Sequence, residues 1–163
     1  MEGWHGIVIH HTGVGGRKEI SKNMWAKLYK SLISYLSKKD ENYVSAHYII
    51  GHGGDAAQLV DPKKYEAFHA GKSRYWNPVI RRVCDDWNRY SIGIELVGDG
   101  NLHEYSQAQY EALANLCRYL MAIFPDIHPL AIVGHECISP GRKVDPGPKF
   151  KWNLFYKMLY YTK

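Results

Sequence analysis

The chain has 163 residues, 45% apolar and 23% charged, with a formal net charge of +5 and a pI near 9.0. That length suits one domain that buries a core without staples, and three scattered cysteines, Cys84, Cys117 and Cys137, exclude a disulfide framework and point to a reducing compartment. No apolar run is long enough to span a membrane and none follows Met1 as a signal peptide would, so cytoplasmic synthesis without stable membrane insertion is expected.

In chain order, residues 6–10 (GIVIH) read as a short buried strand, broken by the glycines at 13–16. Ser21 is placed to cap a helix whose apolar stripe is Trp25, Leu28, Leu32, Tyr35 and Leu36. Residues 38–42 form a charged turn. Residues 46–50 and 58–60 read as two strands joined by the glycine-rich turn at 51–54. Residues 69–90 have no clear period and are expected to be a long loop with one helical turn starting near Asn77-Pro78. Residues 91–97 (SIGIELV) read as a strand with Ile92, Ile94 and Leu96 on one side. Ser106 and Gln109 make a capping box for a helix that buries Tyr110, Leu113, Leu116, Leu120 and Phe124 and stops at Pro125. Residues 130–133 read as a strand running to His135, and 152–160 as a closing helix. Strands interleaved with helices predict an α/β fold, a single domain over residues 1–163 with a central mixed β-sheet flanked by α-helices.

Polar groups gather at strand ends, where α/β sheets build sites. His10 and His11 close the first strand; neighbours along a strand face opposite sides, so only one can reach a shared site. Glu95 alternates with Ile94 and Leu96 and points away from them. A carboxylate in so apolar a strand is costly unless paired or metal-linked; otherwise it marks the wet face of an edge strand. His135 ends the 130–133 strand, and Asp145 follows ten residues later, where it could equally start the turn at Pro146-Gly147. Lys143 reads as surface charge or as a cation aimed at the same place. Two imidazoles and a carboxylate suit a tetrahedral Zn²⁺ with one position left for water. Glu95 is then a candidate for moving protons and Lys143 for steadying an oxyanion. A His-x9-Asp spacing is not by itself a strong motif.

Five segments fall together in a known order: IVIHHT (7–12), SAHYII (45–50), FHAGKS with Trp76 (68–76), SIGIELVG (91–98) and VGH…PGRKVDPGP (133–148). Over nearly its whole length the chain resembles the type 2 N-acetylmuramoyl-L-alanine amidases. The resemblance implies the amidase type 2, peptidoglycan recognition protein-like fold. It also implies a zinc hydrolase that cleaves the amide between N-acetylmuramic acid and L-alanine of peptidoglycan. By position it makes His10 (not His11), His135 and Asp145 the zinc ligands, Glu95 the catalytic acid and base, and Lys143 the group that stabilises the transition state. Asp145 stands where many phage and animal members carry cysteine. A tyrosine that some members carry before the second-motif histidine is Ala46 here, and Tyr48 lies on the wrong side of His47, so proton transfer falls to Glu95. His47, His69, Trp76 and Arg142 are expected to line the substrate cleft; structural roles stay open for the two histidines and a solvated one for Arg142. Cys137 lies off the ligand position.

The expected partner is peptidoglycan or a muropeptide, bound by a monomer. Nucleic acid is not expected, since no basic helix stripe is present. Two roles fit the family: a phage-type endolysin acting on the cell wall after release, and a cytosolic amidase recycling 1,6-anhydro-muropeptides. The positive charge leans toward an anionic envelope and the endolysin. A non-catalytic peptidoglycan-binding module is the third reading, against which the three filled ligand positions argue.

Overall fold

Two apolar runs, GIVIHH and SIGIEL, lie side by side as parallel strands and are buried along almost their entire length. Parallel strands covered on both faces are built of apolar and small residues: GIVIHH is apolar up to its two histidines, and SIGIEL sets Ile92, Ile94 and Leu96 against Ser91, Gly93 and Glu95. The computed structural model describes residues 3–16, 20–37 and 43–161, and the charged turn expected at 38–42 lies outside them.

The elements are β1 (Gly6–His11), α1 (Lys22–Leu36), β2 (Tyr48–Ile50), β3 (Ala56–Gln58), β4 (Arg74–Asn77), β5 (Arg82–Asp85), β6 (Ser91–Leu96), α2 (Gln107–Ile123), β7 (Ile132–Gly134), α3 (His135–Ile138) and α4 (Trp152–Tyr160). The main sheet has the order β3-β2-β6-β1-β7, while β4 and β5 form a separate hairpin. All neighbours in the main sheet are parallel except β3, which runs antiparallel at the edge, so the sheet is mixed as expected. Among the described residues no helix is long and apolar enough to cross a membrane.

The sheet has two faces with different uses. Ile7, Ile9, Ile92, Ile94 and Leu96 point to the first, where Tyr110, Leu113 and Leu120 of α2 and Phe155 and Leu159 of α4 complete the main core. Burying each such side chain contributes roughly 1.5–3 kcal/mol. Ser106 caps α2 with both halves of the expected capping box in place, and Gln109 also donates to Val97 O at 3.0 Å, tying the helix to the end of β6. On the second face two smaller clusters form. Trp25 and Leu36 of α1 pack with Ile49 and Val97. Val8 packs with Ala70, Cys84, Trp87, Val133 and Ile138. The register sets Glu95 beside His10 on one flank and Ile49 on the other. Both polar residues therefore sit on this second face, on central strands, and Glu95 is not at a sheet edge.

Four expectations need correction. The strand read at 58–60 is β3 at Ala56–Gln58, with Leu59 and Val60 beyond its end. Residues 69–90 hold the β4–β5 hairpin and a 3-10 turn at Trp87–Arg89, not a loop with one helical turn. The oxygen of Asn77 accepts from the amides of Val79 (2.9 Å) and Ile80 (3.4 Å), and Arg81 takes a left-handed φ of 53°, so Asn77-Pro78 opens a hairpin turn instead of a helix. Tyr35 is exposed, because Leu36, three turns on from Trp25, takes the buried place. The strand before His135 begins at Ile132, with Leu130 exposed in a 3-10 turn.

Candidate metal centre

The H-H-T sequence at the end of β1 divides its work by alternation. His10 turns to the second face. His11 turns away, accepts from Gly100 N–H at 2.9 Å and reaches the backbone of Pro146. Thr12 accepts from Gly98 N–H (3.1 Å) through the same hydroxyl that donates to Gly98 O (3.3 Å), closing the end of β1 onto β6. β7 runs directly into α3, whose first residue is His135. The glycine- and proline-rich loop after α3 folds back so that Glu136 N–H donates to Asp145 O at 3.0 Å. Tyr105 OH donates to Pro146 O at 2.7 Å. A Cβ on Gly100 would stand 1.8 Å from that carbonyl, so only glycine permits the approach.

Three side chains thus converge from distant parts of the chain. His10 Nδ1 lies 2.9 Å from His135 Nδ1, and each of these nitrogens is 3.0 Å from Asp145 Oδ2. The hydrogen bonds on the far edges of the rings assign the tautomers. His135 Nε2 is 3.0 Å from Ala70 O, a pure acceptor, so the proton is on Nε2. His69 Nε2 donates likewise to Ser91 O at 3.1 Å, leaving its Nδ1 as the acceptor for His10 Nε2–H at 2.9 Å. Arg142 Nη2, 3.4 Å from His135 Nε2, is only adjacent to that edge, since it donates to Ala70 O at 2.7 Å. Both Nδ1 atoms therefore present lone pairs to a carboxylate oxygen with no proton among the three. Such a cluster repels itself unless a cation fills it, and His10, His135 and Asp145, all buried, are a group that could hold a metal ion.

Electrostatics support that assignment. Burial above all pushes the His10 imidazole down to about 4; Asp145 opposes this, and His135 and Lys143 add to it. Its lone pair is therefore available at neutral pH. Burial, then Asp145, raises Glu95 to about 8 against the pull of Lys143. Glu95 Oε2 is buried with no hydrogen-bond partner among the described residues. An orphaned buried oxygen is uncommon and calls for an explanation; Glu136 Oε2 is a second one, but only Glu95 lies beside the donor set in a shared cavity. This cavity of about 260 Å³ is lined by His10, His69, Glu95, His135, Lys143 and Asp145, together with residues 11–13 and Val44. A larger groove of about 610 Å³ beside α1 shares none of these lining residues.

The expected substrate contacts fare differently. His47 is fully buried, accepts from Gly93 N–H at 3.1 Å and donates to Tyr65 O at 3.3 Å, so it is a structural residue beneath the sheet and not a cleft contact. His69 lines the cavity, but both its ring nitrogens are engaged by protein atoms. Trp76 stands exposed on β4, outside the cavity. Arg142 stays exposed while its guanidinium donates to Lys72 O, Ala70 O and Ser139 Oγ, so it braces the loop from the solvent side. Reading the sequence for side-chain chemistry misses the Ala70 carbonyl and Asn88, whose part depends on the backbone; the FHAG segment is the only signal near them.

An α/β domain with a buried His-His-Asp donor set at its strand ends defines a class of metal-site domains in which an adjacent carboxylate and lysine face the same cavity. Within that class, the chain belongs to the N-acetylmuramoyl-L-alanine amidase family (Amidase_2), whose model matches residues 2–148. It is 45% identical over 112 residues to the 1,6-anhydro-N-acetylmuramyl-L-alanine amidase AmpD of Escherichia coli (strain K12), covering 69% of this chain and 56% of the relative. To the protein of the same name from Haemophilus influenzae it is 37% identical over 153 residues, 91% of this chain and 79% of the relative. The structure of the N-acetylmuramyl-L-alanine amidase AmiD from E. coli, in complex with anhydro-N-acetylmuramic acid-L-Ala-D-gamma-Glu-L-Lys, matches with a TM-score of 0.73 at 28% identity. That match covers 95% of this chain and 57% of the other. The matches thus span little more than half the length of several of these proteins. The two relatives named for the 1,6-anhydro activity favour the recycling alternative over the endolysin, toward which only the positive charge leans.

Proposed function

We propose that this chain is a zinc-dependent amidase that hydrolyses the bond between anhydro-N-acetylmuramic acid and L-alanine in soluble muropeptides. The observation that carries this reading is the shared cavity: two lone-pair nitrogens and a carboxylate oxygen converge beside an orphaned glutamate oxygen and a lysine. Two nitrogens and one oxygen are a donor set that zinc takes, and their 2.9–3.0 Å separations are close to the roughly 3.3 Å between ligands around a tetrahedral zinc. The names of the relatives and the bound ligand of the AmiD complex support the anhydro-muropeptide as substrate.

His10, His135 and Asp145 would hold the ion. Bound there, zinc supplies a Lewis acid that acidifies water and polarises the lactyl carbonyl. Glu95 takes the proton of the attacking water, and the burial that raises its pKa in the ion-free site strengthens it as a base. It returns the proton to the leaving nitrogen of L-alanine as the carbon–nitrogen bond breaks. The Lys143 ammonium compensates the charge that develops on the lactyl oxygen. His10 and His135, with both ring edges committed, take no part in proton transfer.

The test is product analysis by mass spectrometry with zinc-loaded protein, using a 1,6-anhydro-muropeptide and, separately, intact sacculi. Free stem peptide beginning at L-alanine should appear from the soluble substrate far faster than from sacculi. Faster digestion of sacculi would return the lytic role. Binding without cleavage would make the chain a recognition module.

A further inference from the structure

We infer that Asn88 is a positioning residue for both imidazoles of the metal centre, acting through the adjacent residues His69 and Ala70. The inference deepens the metal-site reading above and rests on it. Asn88 lies in the 3-10 turn after β5 and is almost fully buried, and its side-chain hydrogen bonds go to His69, Ala70 and Asp86, not to the three proposed ligands. Its Oδ1 accepts from two successive backbone amides, His69 N–H at 3.0 Å and Ala70 N–H at 2.7 Å. Its Nδ2 donates to Asp86 Oδ1 at 2.9 Å, which fixes the end of the carboxamide that faces the amides.

The two residues so pinned then diverge. His69 sends its ring to His10, accepting the Nε2 proton at Nδ1. Ala70 sends its carbonyl to His135, accepting the Nε2 proton there. The outer edge of each imidazole is thus committed to one of two consecutive residues, and each inner Nδ1 is left bare. An acceptor behind a ligand imidazole fixes its tautomer, its rotation and its basicity together. Here one carboxamide oxygen sets the height of both acceptors at once.

The rest of the surroundings makes the strut stiff. The His69 ring lies directly on Gly93, where an added Cβ would come within 2.4 Å of it, and its other nitrogen is held by Ser91 O. Arg142 Nη2 occupies the second lone pair of Ala70 O and also donates to Ser139 Oγ at 2.7 Å. Ser139 Oγ in turn donates to Lys72 O at 2.9 Å. The 68–72 segment is therefore clamped from below by Asn88 and from the side by Arg142, with the two imidazoles resting on it.

The experiment uses the full chain and reads zinc affinity by chelator competition, together with NMR exchange of the histidine ring N–H protons in the zinc-loaded protein. Wild type should show slowly exchanging Nε2 protons on His10, His69 and His135. Asn88→Ala should weaken zinc binding by about tenfold or more and speed exchange at His10 and His135 together. The double variant Asp86→Asn with Asn88→Asp reverses the donor and acceptor of the side-chain pair and keeps the oxygen under the strut, so it should recover most of the lost affinity. Unchanged affinity in Asn88→Ala, a folded double variant as weak as Asn88→Ala, or faster exchange at only one imidazole would overturn the inference. Should Asn88→Ala not fold, wild-type exchange decides: fast Nε2 protons on His10 and His135 overturn the inference, and slow ones with a recovering double variant uphold it. A wild type that binds no zinc defeats the proposed function instead, and the ring-nitrogen shifts of His10 and His135 still report whether the strut holds them as Nε2–H tautomers.

Discussion

At the scale of single residues, Glu95 stands between burial, which disfavours its charge, and Lys143, which favours it. Glu95→Gln keeps the shape and removes the base. Turnover should fall by about 10²–10⁴-fold while zinc content, measured on the same sample, stays at the wild-type level; loss of zinc would make Glu95 a ligand. Asp145→Ala leaves two bare nitrogens and no carboxylate, so zinc should be lost and added zinc should no longer raise the melting temperature. The His10 imidazole, lowered to about 4 chiefly by burial, is already unprotonated through mildly acidic pH. At the His10 ring itself, protons should therefore compete with zinc only as the pH approaches about 4, and NMR of the zinc-free protein showing the His10 ring protonated near pH 6.5 would contradict the buried, neutral state. Glu95 and the three proposed ligands were legible in the sequence, since each is a chemically distinctive side chain at or near a strand end. The Ala70 carbonyl was not, because a backbone acceptor has no residue-type signature.

At the scale of elements, a local signal succeeded where it came with local hydrogen bonds. The Ser106 capping box appears with both bonds formed, and Ser21, read as the cap of α1, accepts from Met24 N–H. Ser106 also donates to His52 O at 2.6 Å, joining α2 to the turn after β2. Ser106→Ala should lower stability by about 1 kcal/mol, measured by urea unfolding. Turnover should be unchanged, because α2 packs on the face opposite His10 and Glu95; a large loss of activity with intact stability would count against that separation. The β4–β5 hairpin escaped the same reading because its residues, apart from Asn77 and Cys84, are exposed. With neither face consistently buried, no alternation of apolar and polar residues marks the strands.

Across the whole molecule, the sequence pattern announced strands and helices but not their neighbours. Nothing in GIVIH or SIGIEL names the other as its partner, and the order β3-β2-β6-β1-β7 emerges only when both faces are covered. That covering has a consequence for acid stability, because it buries His10, His47 and His69 in their neutral forms. His47 isolates the effect, since it is not one of the three proposed ligands and its ring accepts from Gly93 N–H through Nδ1. Burial, the dominant cause, lowers its pKa from 6.5 to about 4, with the bond to Tyr65 O opposing. Between those values the unfolded chain binds a proton there and the folded chain does not, so stability rises with pH and is lost as pH falls. Over the whole window the loss amounts to about 3 kcal/mol. Urea unfolding of zinc-free protein from neutral pH down to pH 4.5 should show this decline, and zinc should displace the curve upward without removing the share due to His47. His47→Asn, which retains an acceptor for Gly93 N–H but does not titrate in this range, should be less stable at neutral pH yet decline less steeply. Parallel slopes for variant and wild type would mean that His47 takes up its proton without unfolding.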